Sequence, residues 1–508
     1  MRTEKTIFNM FSDIIPFFIM GLLGFIKIRV FINYLGKDFY GFTQLFHQIF
    51  GYLNLAEAGF GTAIIYSLYK PISQNDREKI NRLLSGAKVI FRRIGIYILI
   101  VGFVLSFFVD IIVKNNPVSQ LYTQIAFIIF LINSTGNYFI FAPRFLLQAD
   151  QNKYRINLVT NIARFLQILT EIILLILGFD LLVIFTSYLF FMIISNIIIN
   201  KITYKKYPWI NTNYNPDLST FQNTKHVMMH KIGSIVSLNT DNIILSSFVG
   251  IEIVGIYASY NYIIQFIITI TTKIINSTQE SFGNFFALKD KKESLDTFWE
   301  MNSLLFYIGS IIFTVTYISI NDFIRLWVGK DMLVSSLTVL LFCIIFFYRI
   351  VRGSTIVIIN GVGAFKETKW QALIEGIINL VLSIILVSNY GINGVLIATI
   401  ISYLLTGFWF VPNYIFKNIF NEKLILFYMN YLINIVILLI ILLLSQGISI
   451  GLGFYLNNEN LIQWFVDSTI FTCIVSVIYF FVYYTIYKHY RMFLQRVIKL
   501  IRKRRNNV

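Results

Sequence analysis

Basic side chains inside apolar segments are the residues of this sequence best suited to do chemistry. Arg349 and Arg352 lie three residues apart, so a helix would place both guanidinium forks, which match phosphate oxygens, on one face. Lys27 and Arg29 lie two residues apart and would point about 200° apart around a helix. These four residues predict a cationic cavity for an anionic group such as a diphosphate. The alternative is pairing with Asp or Glu on a neighbouring helix or, for Lys27 and Arg29, extension to the membrane surface.

Acidic residues in the same kind of segment are candidates for binding a proton or a cation. A carboxyl group in a low-dielectric environment takes up a proton more readily than one in water. Asp241 and Glu57 therefore predict coupling to H+ or Na+. Lys273 and Glu280 are further candidates, because together with Asn276 they share one face of a helix. A structural ion pair is the alternative for each of them.

Other kinds of chemistry are disfavoured by the sequence. The glycine-containing segment 361–366 lacks the spacing of a nucleotide-binding phosphate loop. The sequence has no cluster of His, Asp and Glu with metal-ligand spacing, and Cys343 and Cys473 both lie in apolar runs. It therefore predicts no catalytic residue, no metal site and no cofactor.

The elements that must position these residues are membrane-spanning helices. The chain has 508 residues, 57% of them hydrophobic and 13% charged, whereas a soluble domain has about 25% charged residues. This composition disfavours a soluble enzyme and predicts an all-α polytopic membrane protein. A span needs about 20 mainly apolar residues, and about fourteen segments qualify. Their limits are 7–33, 40–68, 88–113, 121–147, 154–178, 181–204, 227–250, 254–285, 298–320, 333–361, 370–388, 391–416, 424–450 and 461–487.

The distribution of Lys and Arg predicts the topology. With a cytoplasmic N-terminus, most of the 42 Lys and Arg residues fall on the cytoplasmic side, which predicts that both termini are cytoplasmic. The few on outer loops and outer helix ends are Lys27, Arg29, Lys37, Lys114, Arg325 and Lys330. The outer loops are short, which disfavours a membrane enzyme with a catalytic outer domain. The long apolar runs disfavour nucleic-acid binding.

The two halves of the chain match weakly at a nearly constant offset. Gly36 and Gly41 recur as Gly250 and Gly255 at an offset of 214 residues, with further matches at 213 to 215. A repeat of six helices keeps its orientation, so the sequence predicts two parallel six-helix lobes with a substrate site between them, plus two C-terminal helices. The predicted divisions are an N-lobe (1–205), a cytoplasmic linker (206–224), a C-lobe (225–416), two further spans (417–490) and a basic cytoplasmic tail (491–508).

An ordered set of short motifs is similar to the pattern of a known family. The motifs are 34–41, 53–61, the turn 146–151, 240–246 with the glycines and tyrosine that follow it up to residue 257, and the turn 391–394. Together they resemble bacterial polysaccharide and O-antigen flippases (Wzx type) of the multidrug/oligosaccharidyl-lipid/polysaccharide exporter superfamily. One departure is Glu57, where the family more often has Asp.

This resemblance implies a function. It implies a transporter, not an enzyme, that moves an undecaprenyl-diphosphate-linked oligosaccharide across the bacterial cytoplasmic (inner) membrane by alternating access, for O-antigen, lipopolysaccharide or capsule synthesis. The implied partners are this lipid-linked oligosaccharide, membrane lipids, and the polysaccharide polymerase and chain-length machinery. One alternative is an ion-coupled multidrug exporter of the same superfamily, which the four cations disfavour because they would repel cationic drugs. A less favoured alternative is a membrane glycan polymerase or ligase.

Overall fold

The structure is a computed structural model in which nearly every described residue is helical and none forms a strand. It describes residues 2–57, 59–140, 143–218, 240–288, 291–362, 364–454 and 459–505. The chain divides into two compact units, Met1–Ala258 and Ser259–Val508. The sequence-based lobe boundaries, with a linker at 206–224, stay a prediction.

The described residues of the first unit are mainly helical. Its helices are α1 (Arg2–Leu35), α2 (Lys37–Leu53), α3 (Phe60–Ser73), α4 (Arg77–Ser106), α5 (Val109–Ile112), α6 (Gln120–Ile140), α7 (Arg144–Ala149), α8 (Lys153–Ile176), α9 (Leu181–Lys206) and α10 (Asp241–Phe248). Apolar side chains of α3, α4, α6 and α7 form a buried core. The next helix, α11 (Ile251–Leu288), begins in this unit and continues in the second.

The second unit is also helical throughout its described residues. Its helices are α12 (Lys291–Val328), α13 (Ser336–Val351), α14 (Gly353–Val362), α15 (Phe365–Tyr390), α16 (Ile392–Leu405), α17 (Phe410–Tyr414), α18 (Leu424–Gly451), α19 (Leu461–Ile486) and α20 (Lys488–Arg505). A π-helical turn, Ile415–Phe420, follows α17.

Within the described ranges, twelve helical segments are long and apolar enough to cross a membrane. Each overlaps one of the fourteen predicted segments, so the prediction of a polytopic helical membrane protein is confirmed. Of the other two predicted segments, 40–68 contains a break. The remaining one, 227–250, lies largely outside the described residues, which stop at 218 and resume at 240.

The break in the second predicted segment separates α2 from α3. A 3-10 turn, Asn54–Glu57, follows α2, and Gly59 adopts a left-handed backbone (φ 93°) that glycine tolerates without steric cost. The Tyr138 hydroxyl of α6 donates to Glu57 Oε2 at 2.7 Å and also contacts Asn54 Oδ1. A continuous helix over 40–68 is therefore wrong. Polar contacts with α6 hold the interruption in place.

Two glycines allow α2 and α11 to cross in direct backbone contact. A Cβ atom on Gly41 would collide with the carbonyl oxygen of Ile251, and a Cβ atom on Gly255 would collide with that of Lys37. These two contacts are reciprocal and are related by the repeat offset of 214 residues. Lys37 Nζ also lies 2.5 Å from Glu252 Oε1. Small residues at both contacts, together with this ion pair, hold the two helix starts together.

Alanine at either crossing glycine is expected to destabilise the protein. The added Cβ atom of Gly41→Ala or Gly255→Ala would force two backbones apart, a strain of about 1–3 kcal/mol. Thermal unfolding of the purified protein in detergent measures the effect. Gly51→Ala in α2 is the matched control, because its added Cβ would meet no described atom beyond the adjacent backbone of its own helix within 4 Å, and it should not lower Tm. Equal Tm values for all three variants would contradict the close crossing.

Candidate functional site

An ion pair joins α1 and α8 within the membrane-spanning part of the first unit. Lys27 Nζ lies 3.1 Å from Glu171 Oε2, and Glu171 is fully buried (0% exposed). A buried carboxylate is costly unless a cation compensates it. The charge of Lys27, one of the four predicted cavity cations, is therefore offset by Glu171.

Polar residues form one face of α8 through its apolar sequence. Asn157, Asn161, Arg164 and Glu171 recur on this face at helical spacing. Arg164 lies near the middle of this 24-residue helix, its side chain is exposed, and no acidic residue in the described part of the chain pairs with it. Because a charge in mid-membrane is stable only beside water or a polar partner, this face indicates a polar cavity.

Two basic side chains lie near a histidine at this position. Lys27 and Arg164 are both close enough to act electrostatically on the His47 imidazole of α2. Arg29, two residues beyond Lys27 on α1, is exposed and is paired with no carboxylate among the described residues. Sequence reasoning missed Arg164. The signal for it was an arginine well inside an apolar segment, with asparagines three and seven residues before it.

In the second unit the predicted arginine pair lies at an interruption between two helices. α13 ends at Val351 and α14 begins at Gly353, within the predicted span 333–361. Arg352 Nη1 lies 3.4 Å from both carboxylate oxygens of Glu375 in α15. Arg349 Nη1, by contrast, donates to the amide oxygen of Gln265 in α11, at 3.4 Å. Arg352 is thus charge-compensated, whereas Arg349 has only a neutral partner in the described part of the structure.

Glu375 is the centre of a buried polar network that the sequence analysis does not predict. Its carboxylate (6% exposed) accepts hydrogen bonds from Gln371 Nε2 at 2.5 Å and from Thr406 Oγ1 at 2.9 Å, in addition to Arg352. Thr406 directly follows the end of α16. The network therefore joins the ends of α13 and α16 to α15. The sequence signal was a glutamate within the predicted span 370–388.

The acidic coupling candidates of the first unit are each bound by a tyrosine. Tyr257 Oη donates to Asp241 Oδ2 at 2.6 Å, at the start of α10. Gln48 Oε1 of α2 accepts the nearby backbone N–H of Ile243 at 2.9 Å. No cation pairs with Asp241 in the described ranges. Asp241 and Glu57 thus sit at the ends of short helical segments, each held by a phenolic hydroxyl.

The remaining coupling candidates lie on α11. Lys273 is partly exposed, and the Glu280 side chain lies outside the part that the structure describes. The predicted common face of these two residues stays a prediction. Among the described residues, no group of three or more His, Cys, Asp and Glu side chains could hold a metal ion.

Removal of the cation that compensates Glu171 is expected to be strongly destabilising. Lys27→Met would leave a buried carboxylate unpaired, at a cost of about 3–5 kcal/mol. The double variant Lys27→Met/Glu171→Gln should regain most of that loss, because no unpaired charge remains. Thermal unfolding in detergent is the measurement, with Arg29→Met as the control on the same helix. If Lys27→Met and Arg29→Met unfold at the same temperature, the ion pair does not stabilise the fold.

Comparison with solved structures shows a shared fold. A lipid II flippase, MurJ, in an inward closed conformation superposes with a TM-score of 0.66 at 16% identity, over 95% of this chain and 99% of that chain. An inward-facing multidrug resistance MATE family transporter of the MOP superfamily superposes with a TM-score of 0.64 at 13% identity, over 76% of this chain and 91% of that one. At these identities the likeness concerns the fold alone.

A comparison of the sequence with protein families identifies the family of this chain. No curated protein sequence matches the chain. The profile of a family described as "Polysaccharide biosynthesis protein" matches residues 8–279, which is more than half of the chain. The matched region contains most of α1, all of α2 to α10 and most of α11, and with them Lys27, Arg164 and Asp241. The chain therefore belongs to the polysaccharide biosynthesis protein family.

Proposed function

We propose that this protein is a flippase that moves an undecaprenyl-diphosphate-linked oligosaccharide across a bacterial cytoplasmic membrane by alternating access. The observation that carries the proposal is the presence of arginines without a carboxylate partner on membrane-spanning helices of both units. Arg164 in the first unit and Arg349 in the second have none among the described residues. Such charges are stable in a membrane when they face water or bind an anion.

The proposed ligand group for these arginines is the diphosphate. A guanidinium group donates two parallel hydrogen bonds to phosphate oxygens, and each such bond is stronger than one between neutral groups. Arg29, exposed on α1, is a further candidate for this role in the first unit. An apolar polyprenyl chain needs no polar partner, so the protein has to compensate only the headgroup.

Lys27 and Arg352, the other two predicted cations, have a different proposed role, each within its own unit. Each is held by a buried glutamate, Glu171 and Glu375 respectively. Arg352 Nε nevertheless has no hydrogen-bond acceptor among the residues that the structure describes. We assign these two residues to positioning, because their acidic partners already neutralise most of their charge.

The proposed energy source is a gradient of H+ or Na+, with consumption of the flipped lipid on the outer side as the alternative. Asp241 is the leading coupling residue, because it has a hydroxyl donor and no cationic partner in the described ranges. Glu57, Lys273 and Glu280 are secondary candidates. No cofactor is proposed.

The proposed setting follows from charge distribution and family. Both chain termini are assigned to the cytoplasm, because Lys and Arg are concentrated on one side of the predicted topology. The product would enter synthesis of a surface polysaccharide such as O-antigen or capsule. The polysaccharide polymerase and chain-length machinery are the proposed protein partners.

A multidrug exporter is the second candidate function. The observation that favours it is Asp241, a carboxylate without a cationic partner among the described residues, which would attract a cationic drug. The uncompensated arginines oppose it, because they would repel the same drug. The glycan polymerase or ligase alternative has no catalytic cluster to support it in the described residues.

Neutralisation of Arg164 or Arg349 is expected to slow lipid transfer. Loss of a hydrogen bond to a charged group costs about 1.5–3 kcal/mol, which corresponds to about 10- to 100-fold in rate. The measurement is leaflet transfer of a fluorescent polyprenyl-diphosphate oligosaccharide by the full-length protein in proteoliposomes, for Arg164→Gln and Arg349→Gln.

The matched control is Arg82→Gln. Arg82 is a surface residue, half exposed, near Glu78 on α4, so its charge should not affect transfer. Wild-type transfer by both arginine variants would refute the proposed role of Arg164 and Arg349. Wild-type export of a cationic dye without any lipid transfer would favour the multidrug alternative.

Asp241→Asn is expected to remove the dependence of transfer on an ion gradient. The amide keeps the shape and still accepts the Tyr257 hydrogen bond, but it cannot take up a proton or hold a cation by charge. Transfer is compared with and without an imposed H+ or Na+ gradient. Tyr257→Phe is the control for the hydrogen bond, and it should retain a gradient response. An unchanged response in Asp241→Asn would remove Asp241 from the coupling role.

A further inference from the structure

We propose that α20 is a membrane-surface helix that binds anionic lipid headgroups and transmits their presence to the start of α12. This lipid site is separate from the proposed transport site. The partner is identified by charge complementarity, because the 18 residues Lys488–Arg505 contain eight Lys and Arg and no Asp or Glu.

The sequence of α20 has two opposite faces. Lys488, Arg491, Arg496 and Lys499 fall within one sector at helical spacing, while Tyr490, Phe493 and Leu494 fall on the other side. The sequence continues with four further basic residues, Arg502, Lys503, Arg504 and Arg505. A basic amphipathic helix of this kind lies in the plane of a membrane interface, with its cations at the headgroups.

The fold fixes α20 at the end of a membrane span. α19 is one of the twelve spanning helices and ends at Ile486, and α20 begins two residues later at Lys488. The Arg491 guanidinium donates to the carbonyl oxygens of Tyr484 and Thr485, both at 3.0 Å. These bonds satisfy carbonyls that the end of α19 would otherwise leave unpaired. The helix therefore begins where the span leaves the membrane.

Two polar contacts join α20 to α12. Arg496 Nη2 lies 3.0 Å from Glu300 Oε1, whose residue is 2% exposed. His489 Nε2 lies 3.5 Å from Asp296 Oδ1. Tyr490, also 2% exposed, packs its ring against Tyr307 at a centroid distance of 5.2 Å. Through these contacts, a change in the position of α20 on lipid binding would also move the residues of α12 that it touches.

After these contacts with α12, positively charged side chains of α20 remain available to bind lipid headgroups. Lys488 and Lys499 are exposed, and neither pairs with an acidic residue in the described part of the chain. Each Lys or Arg near an anionic membrane contributes about 1 kcal/mol of attraction, which salt weakens because it screens the charges. An acidic protein could offer the same charge, but the closeness of α20 to the end of a span favours lipid.

The test is hydrogen exchange of the full-length protein in nanodiscs. One set contains only phosphatidylcholine. The other contains about 30% phosphatidylglycerol, which gives the discs the negative surface charge of an anionic membrane. Peptides from 488–505 are expected to exchange at least several-fold more slowly in the anionic discs, and 0.5 M salt should abolish the difference. No substrate is present, so the outcome is independent of the proposed flippase activity.

Two sets of variants separate charge from structure. Arg502→Gln/Lys503→Gln/Arg504→Gln/Arg505→Gln should lose the lipid-dependent protection, while the charge-retaining Arg502→Lys/Arg504→Lys/Arg505→Lys should keep it. Peptides from the start of α12 should also exchange more slowly in the anionic discs. Arg496→Gln should remove this difference in α12 but keep the protection of α20. Equal exchange in the two lipid compositions would overturn the proposal. Protection that appears only in native membranes would also overturn it, by pointing to an acidic protein.

Discussion

The cost of an unpaired charge in a low-dielectric medium is the constraint on which the rest of this structure depends. Among the glutamates inside membrane-spanning helices, Glu171 and Glu375 are almost fully buried, and each has a basic partner from another helix: Lys27 for Glu171 and Arg352 for Glu375. Breaking either pair would leave a charge that neither water nor lipid can stabilise. These pairs therefore constrain which helices lie side by side, α1 with α8 and α13 with α15.

The same constraint separates charges that have a structural partner from charges that are available to a ligand. Lys27 and Arg352 are compensated, whereas Arg164 and Arg349 have no acidic partner among the described residues. A cation inside a membrane span is expected to pair with an acidic residue or to face water. Cations that remain available on both units suit an anionic substrate, which supplies the missing negative charge when it binds. This reasoning connects the energetics of the fold to the proposed transport of a diphosphate-linked lipid.

Helix interruptions occur beside polar side chains. The break after α2 is held by Tyr138, and the end of α16 by Thr406 and Glu375. Non-helical backbone at membrane depth frees N–H and C=O groups that lipid cannot satisfy, so it persists only where protein or water supplies partners. The breaks therefore lie where polar side chains are present, because the freed backbone groups need polar partners.

The sequence alone determined the class of protein and twelve of its spans, because bilayer thickness sets the length of any apolar helix that crosses it. It also located Arg349, Arg352, Lys27 and Asp241, because charges stand out in apolar runs. The partners of these residues were decided only by the tertiary structure. An ion pair depends on the rotation and depth of two helices that lie far apart in the chain, and side-chain spacing along one helix carries no information about the other. The sequence therefore predicts the same role for Arg349 and Arg352. The tertiary structure distinguishes them, because among the described residues only Arg352 pairs with a carboxylate.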